Sequence, residues 1–325
     1  MIVCRTPFRM SFVGGGSDIP SFFKKQKGAV ISTSINKFMY QIIHQTFDKK
    51  FHINYSKKEC ASKINSIKHP IVRNVLKILK IKTPIEISSL ADIPSYGSGL
   101  GSSSSYTVGL FNALSEFKNT KVDEEYLAKN AYLLERNILK EGAGKQDQYA
   151  AAYGGFNLIE FYPDDKVKVK KILCDQKKKK RFEESIITFF TGNTRRAYKN
   201  LLSLNENLNK KKNISNVSDM VKLTYEFLNE IHGNFSIYEL GKILDENWRI
   251  KKTLSSNVSN DMIDYYYNLG KKNGALGGKI LGAGNGGFLM FIAPKNQHGR
   301  IIKSLKDLEY VKINFENNGS KILMK

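Results

Sequence analysis

The chain has few of the residues that staple or metallate small proteins. Its three cysteines, Cys4, Cys60 and Cys174, are far apart and odd in number, so neither a disulfide framework nor a cysteine metal site fits. Its five histidines form no HExxH or HxxxH pair, which argues against a zinc hydrolase. No apolar run approaches the ~18–20 residues that a membrane span needs. Arg5 and Arg9 interrupt the apolar residues at the start, and no small-residue cleavage site follows a long hydrophobic stretch. That is not a secretory leader, and a cytoplasmic setting without membrane attachment is the expectation. Familiar nucleotide motifs are missing too. No Gly-Lys-Ser/Thr run closes a Walker A loop, and neither HRD nor DFG occurs.

Acidic residues are scarce. Thirty Asp and Glu face 52 Lys and Arg, a net charge of +22. Such a balance raises nucleic-acid binding. Yet the basic runs Lys177–Arg181 and Asn209–Asn213 lie between periodic segments, where solvated loops are expected. There is no helix-turn-helix signal, zinc finger or aromatic RNP-type strand. A basic, solvated surface with no nucleic-acid partner is favoured, and anionic substrates remain compatible with it.

What is present is a globular chain of 325 residues, 41 % apolar, long enough for two lobes. The first third reads mostly as strands. One covers the opening apolar stretch and is broken by Pro7. Two more, Ala29–Ile35 and Phe38–His44, flank a hairpin-like turn at Asn36-Lys37. His69–Lys80 has helical periodicity, as do 103–116, 124–139 and a short segment from Gln146. The lysine run marks a border between lobes, giving 1–180 and 181–325. The second part reads as a strand at Ser185–Phe190, three amphipathic helices within 217–273, and a strand–glycine turn–strand at 277–294. A helix at His298–Leu308 and a strand at Tyr310–Asn314 close it. Strands and helices mixed without steady alternation predict an α+β fold.

The stretch PSYGSGLGSSSSYTVGL (94–110) poses the sharpest question. The first amides of a helix lack internal partners and sit at the positive end of its dipole, so an anion is welcome there. Glycine lets backbone approach that anion closely. An ordinary serine cap would need one hydroxyl. Four serines behind Gly97, Gly99 and Gly101 favour an anion cradle.

This stretch resembles the second signature of the GHMP small-molecule kinases, Pro-x-x-x-Gly-Leu-Gly-Ser-Ser-[Ala/Ser]. RTPFRMSFVGGGSDIP (5–20) is similar to the family's N-terminal signature and KILGAGNGGFLMF (279–291) to its C-terminal glycine-rich one. LERNILKEGAGKQDQYAAAYGGF lies between them and resembles the segment that carries the catalytic acid. The order and distances are family-like, and the resemblance spans nearly the whole chain. Asn285 departs from it, standing where a glycine is usual. The triple glycine before Ser17-Asp18 and the segment TGNTRRAYKNLL (191–202) resemble the subgroup acting on heptose phosphates.

The resemblance implies a two-lobed GHMP kinase fold, with an N-terminal ATP-binding lobe and a ferredoxin-like C-terminal lobe. It implies ATP bound by Gly97, Gly99, Leu100, Gly101, Ser102, Ser103 and Ser104. It implies Asp147 as the catalytic base beside Arg9, although Asp147 alone reads as an acid of a helix's first turn. Mg²⁺ would be held by Glu135 with Ser103, or neighbouring Ser102. The sugar would meet Gly15, Gly16, Ser17, Asp18 and Gly284, and Arg195 and Arg196 are candidates for its phosphate. The implied reaction phosphorylates the anomeric hydroxyl of D-glycero-D-manno-heptose 7-phosphate, feeding GDP-heptose and surface polysaccharide. A kinase for galactose, fucose or arabinose, a decarboxylase-type relative, and a basic nucleic-acid-binding protein on the same fold are the alternatives.

Overall fold

The chain's architecture, in a computed structural model that describes residues 1–94, 97–192 and 211–325, rests on two sheets. The first is built on β1 (Ile2–Val13) and β2 (Gly28–Gln45), paired antiparallel along nearly their whole length. β3 (Phe51–Asn54), β4 (Lys58–Ala61) and β5 (Ile85–Ala91) extend it on one side, in the order β1-β2-β5-β3-β4. β2 is long enough to share its second edge. Residues 39–45 pair with β5, and residues 28–33 pair with β6 (Phe156–Phe161), which carries β7 (Val167–Lys171).

Asn36-Lys37 is not a hairpin turn. The register of β1 on β2 jumps there, from Pro7 opposite Phe38 to Phe8 opposite Ile35, so two residues of β2 have no opposite number. This is a bulge inside one strand. Pro7, which has no N–H to give the ladder, sits at the break. Asn36 turns outward instead: its N–H donates to the Asn314 carbonyl at 2.9 Å, and its side chain accepts from Asn314 N–H at 2.8 Å.

Helices cover one face of this sheet. After the short α1 (Pro20–Phe23) and α2 (Pro70–Ile78), α3 (Ser102–Phe117) packs on β1 and β2 with most of its residues buried. α4 (Glu124–Leu133), capped by Asp123, was expected to run on to Leu139. Instead it loosens into a π-helical turn at Leu134–Ile138. Such turns often mark functional positions, and this one directs Glu135 inward. α5 (Gln146–Tyr153) lies against α3 and α4.

The lysine run 177–181 is helical, contrary to the loop expectation. α6 (Gln176–Glu184) starts on Asp175, which accepts the Lys177 N–H at 2.6 Å. Its anchor is Phe182, buried among Phe12, Phe156, Phe227 and Phe235. Burying one such ring stabilises by roughly 1.5–3 kcal/mol, enough to fix a short helix whose lysines stay solvated. The second basic run is likewise helical from Lys211, where α7 (Lys211–His232) begins.

The second sheet is made by β8 (Ile186–Phe190), β9 (Gly277–Ile280), β10 (Phe288–Ile292) and β11 (Glu309–Tyr310), all antiparallel. Their order is β11-β8-β10-β9. In chain order that is 4-1-3-2, the arrangement of a ferredoxin-like lobe, with helices between the first and second strands and between the third and fourth. α8 (Ile237–Thr253) packs on β9 through buried Trp248, and α9 (Asp261–Lys272) and α10 (His298–Ser304) complete the lobe. The chain then returns to the first sheet. β12 (Phe315–Glu316) pairs with β2 and β13 (Lys321–Met324) with β1, neither of which the sequence pattern announces.

Candidate active site

A cavity of about 520 Å³ opens where the N-terminus of α3, the loop after β1, the start of α5 and the β9–β10 turn converge. Gly97, Gly99 and Gly101 all have positive φ, at 69°, 77° and 74°. Gly101 is the N-cap of α3, and no side chain caps the helix. The first turn of α3, the end of a helix whose amides have no intrahelical acceptor, thus lines the cavity. The loop is pressed from the other lobe as well. A Cβ on Gly282 would stand 2.6 Å from the Gly99 Cα, so the two glycine turns touch only because both lack side chains.

The four serines divide the work. Ser102, Ser103 and Ser104 line the cavity, and Ser103 is the exposed one. Ser104 donates to Glu135 Oε2 at 2.9 Å, a contact the sequence does not announce. Ser105 faces away and donates to the Pro7 carbonyl at 2.8 Å. Leu100 is buried and contributes backbone: its carbonyl accepts the Arg9 N–H at 3.0 Å.

Arg9 on β1 and Asp147 in the first turn of α5 form a forked pair. Nε and Nη2 each donate to one carboxylate oxygen at 2.8 Å, and Nη1 donates to the Gly99 carbonyl at 2.5 Å. Arg9 is almost wholly buried, whereas the Asp147 carboxylate keeps a quarter of its surface in the cavity. A cap would turn Asp147 back on its own helix; here it faces the cavity.

Asp18 lies beside them, buried. It accepts from Gly16 N–H at 3.1 Å, Gln146 N–H at 3.2 Å and Gln146 Nε2 at 3.1 Å. Burial first, and the nearby Asp147 charge second, push its carboxyl above the usual range against the pull of those donors. Gly15 and Gly16 line the cavity with it. Ser17 does not: its hydroxyl accepts the Ala29 N–H at 3.0 Å and lies 2.8 Å from the Gly14 carbonyl, tying the turn to β2. Gly284 is also set back, with a Cβ there meeting the Val258 carbonyl at 2.4 Å. Arg195 and Arg196 lie outside the described residues.

Glu135 is 1 % exposed. Oε2 accepts from Ser104 and, at 2.6 Å, from Gln148 Nε2, while Oε1 has no hydrogen-bond partner among the described residues. Burial, then the Glu141 charge, raises its carboxyl to about 7. A buried carboxylate oxygen without a donor, at the wall of a polar cavity, fits a hard cation that brings its own charge and water.

Three side chains were not foreseen. Gln146 and Gln148 hold the two acids, Asp18 and Glu135, from either side of Asp147. Lys251, on α8, lines the cavity although only 4 % exposed, and its Nζ donates to the Gly282 carbonyl at 2.6 Å. In sequence it looks like one more basic residue at a helix end; only the packing of α8 turns it inward. Asn285, the departure from the glycine pattern, has φ +64° and so keeps the left-handed turn.

Comparison with known proteins agrees with this geometry. The chain matches the model of the GHMP kinases N terminal domain over residues 65–155 and that of the GHMP kinases C terminal over 228–310. It is 32 % identical to the D-glycero-alpha-D-manno-heptose 7-phosphate kinase of Campylobacter jejuni, over 98 % of this chain and 97 % of that one. Among solved structures, a D-glycero-D-manno-heptose 1-phosphate kinase from Bacteroides thetaiotaomicron superposes with a TM-score of 0.83 at 22 % identity, covering 100 % and 99 % of the two chains. The galactokinase of Lactococcus lactis, complexed with galactose, does so with 0.78 at 16 % identity, over 98 % and 94 %. With both lobes matched in order and a relative this similar end to end, the protein belongs to the GHMP kinases and is a phosphotransferase with a sugar hydroxyl as acceptor.

Proposed function

We propose that the protein transfers the γ-phosphoryl group of ATP to the anomeric hydroxyl of D-glycero-D-manno-heptose 7-phosphate, giving the 1,7-bisphosphate. The observation that carries this reading is the forked Arg9–Asp147 pair at the wall of a cavity shared by the Gly97–Ser104 loop and Asp18. The name of the C. jejuni relative supports the choice of sugar.

The chain's own groups supply most of the chemistry. The loop amides and Ser103 bind nucleotide phosphates at the helix N-terminus. Asp18, Gly15 and Gly16 receive the sugar, whose hydroxyls can satisfy Asp18. Asp147 takes the proton of the attacking hydroxyl, and Arg9 fixes its orientation. Glu135 and Ser103 would hold Mg²⁺, with Ser104 orienting Glu135; the ion would neutralise charge on the phosphate oxygens. Positioning and electrostatics then account for most of the rate. In this reading 1–180 is the nucleotide lobe and 181–325 the second, with the tail from Phe315 lent back to the first sheet. The product would feed GDP-heptose and surface polysaccharide synthesis.

The test is ADP release from Mg²⁺-ATP with heptose 7-phosphate, unphosphorylated heptose, galactose, fucose and arabinose as acceptors. Preference for the heptose phosphate supports the reading. Equal or better turnover of a plain hexose overturns the substrate, and no turnover with any sugar overturns the reaction.

A further inference from the structure

Two lysines are buried near the cleft, and among the described residues neither forms an ion pair. Lys279 on β9 donates to the Phe12 carbonyl at 2.9 Å and does not line the cavity. Lys251 donates to the Gly282 carbonyl and does line it. The charged groups that act on Lys251 are Arg9 of β1, Asp18 of the loop after it, Asp147 of α5 and Lys279 of β9. Both carboxylates are already engaged, Asp147 by Arg9 and Asp18 by Gly16 and Gln146. Lys251 therefore lies beside the Arg9 charge and two carboxylates that already have partners, while burial and the charges of Lys251 and Arg9 disfavour the ammonium of Lys279.

A buried ammonium without a counter-charge is unfavourable, so a fold that keeps one at a cavity wall is arranged for an anion that arrives with a ligand. Carbonyl partners alone leave N–H donors of the ammonium to spare. The placement is not accidental flexibility. One turn earlier on α8, buried Asn247 accepts the Gly14 N–H at 3.1 Å, and Trp248 anchors the helix in the core. α8 thus grips the glycine turn beside the sugar-facing loop with Asn247 and the β9–β10 turn with Lys251. It holds the ammonium between the two.

Resting on the kinase reading above, we infer that Lys251 is a phosphoryl-binding cation of the cleft. A compact ammonium suits a phosphate dianion as a point charge. That dianion has two sources, the acceptor's own phosphate and the phosphoryl group in transfer.

The experiment compares wild type, Lys251→Met and Lys251→Arg with heptose 7-phosphate and with unphosphorylated heptose. Loss of one charge-assisted contact lowers kcat/KM by about 10- to 100-fold in Lys251→Met, and Lys251→Arg recovers part of it. If the acceptor's phosphate is the partner, KM rises for the sugar phosphate alone. If the transferring group is the partner, kcat falls alike for both acceptors while KM stays. The inference is overturned if Lys251→Met keeps all constants within about twofold, or if Lys251→Arg is no better than Lys251→Met. Should Lys251→Met fail to fold, Lys251→Gln, which retains a donor for Gly282, serves instead. A wild type that turns over no sugar overturns the kinase reading itself, a result distinct from an active but indifferent variant.

Discussion

Ser104 and Glu135 meet at 2.9 Å across the gap between α3 and the π-helical turn, and the second Glu135 oxygen has no hydrogen-bond partner among the described residues. Under the proposed function, a side chain held by one oxygen and open at the other is placed to take a cation. It is also a burden on the empty protein, because burial disfavours its charge. Glu135→Gln keeps an oxygen for Ser104 and Gln148 and removes the charge. The expected outcome is an apo protein at least as stable as wild type in thermal melts. Its Mg²⁺ requirement should rise at least about tenfold and its kcat should fall about 100-fold. A variant that melts early, with unchanged Mg²⁺ dependence, would make Glu135 a packing residue.

Asp147→Asn tests the base. The amide cannot take a proton, and its NH₂ would face one of the two Arg9 donors that now share the carboxylate. A fall in kcat of about 10²- to 10⁴-fold is expected. Nucleotide affinity should stay within about twofold, since the loop amides are untouched. Stopped-flow binding of a fluorescent ATP analogue beside steady-state turnover separates the two effects. Full turnover in the variant removes Asp147 from the chemistry.

Lys251 gives the site a pH limb. Burial first, and then the charge of Arg9, lowers its pKa to about 8. Below that value the ammonium is charged and attracts a dianion; above it the attraction fades. kcat/KM for the sugar phosphate should therefore fall as pH rises through about 8. Lys251→Arg, charged throughout, should carry the plateau higher. An identical limb in both proteins would assign it to another group.

Much of this was legible beforehand, and the rest was hidden for physical reasons. Glycines with positive φ, such as Gly99 and Gly101, are chosen by local backbone need, so the loop showed in the sequence. Asp147 and Arg9 showed through the pattern around them, although their fork needs two elements 138 residues apart. Lys251 did not show, because nothing local distinguishes a lysine turned inward by packing from one on the surface. The bulge at Asn36 reads as a turn in the sequence because its reason, Asn314, lies at the other end of the chain. The bond from Ser104 to Glu135 did not show, because it depends on which face α3 turns to the π-helical turn.

Asn285 provides a last test, of loop geometry rather than chemistry. Its φ of +64° is unfavourable for most side chains, but a short amide tolerates it. The residue is held on both sides. Its N–H donates to the Val258 carbonyl at 2.9 Å, and its Oδ1 accepts from Asn260 Nδ2 at 2.7 Å. Glycine there would gain backbone ease and lose one partly buried hydrogen bond, for a net change within ~1 kcal/mol. Alanine would lose the bond and keep the strain, costing about 1–3 kcal/mol. The turn it strains also carries Gly282, which abuts Gly99 in the glycine-serine loop. Asn285→Ala should thus lower the urea midpoint and raise the KM for ATP together, while Asn285→Gly changes neither appreciably. If alanine is tolerated as well as glycine, the left-handed turn does not govern how the two loops meet.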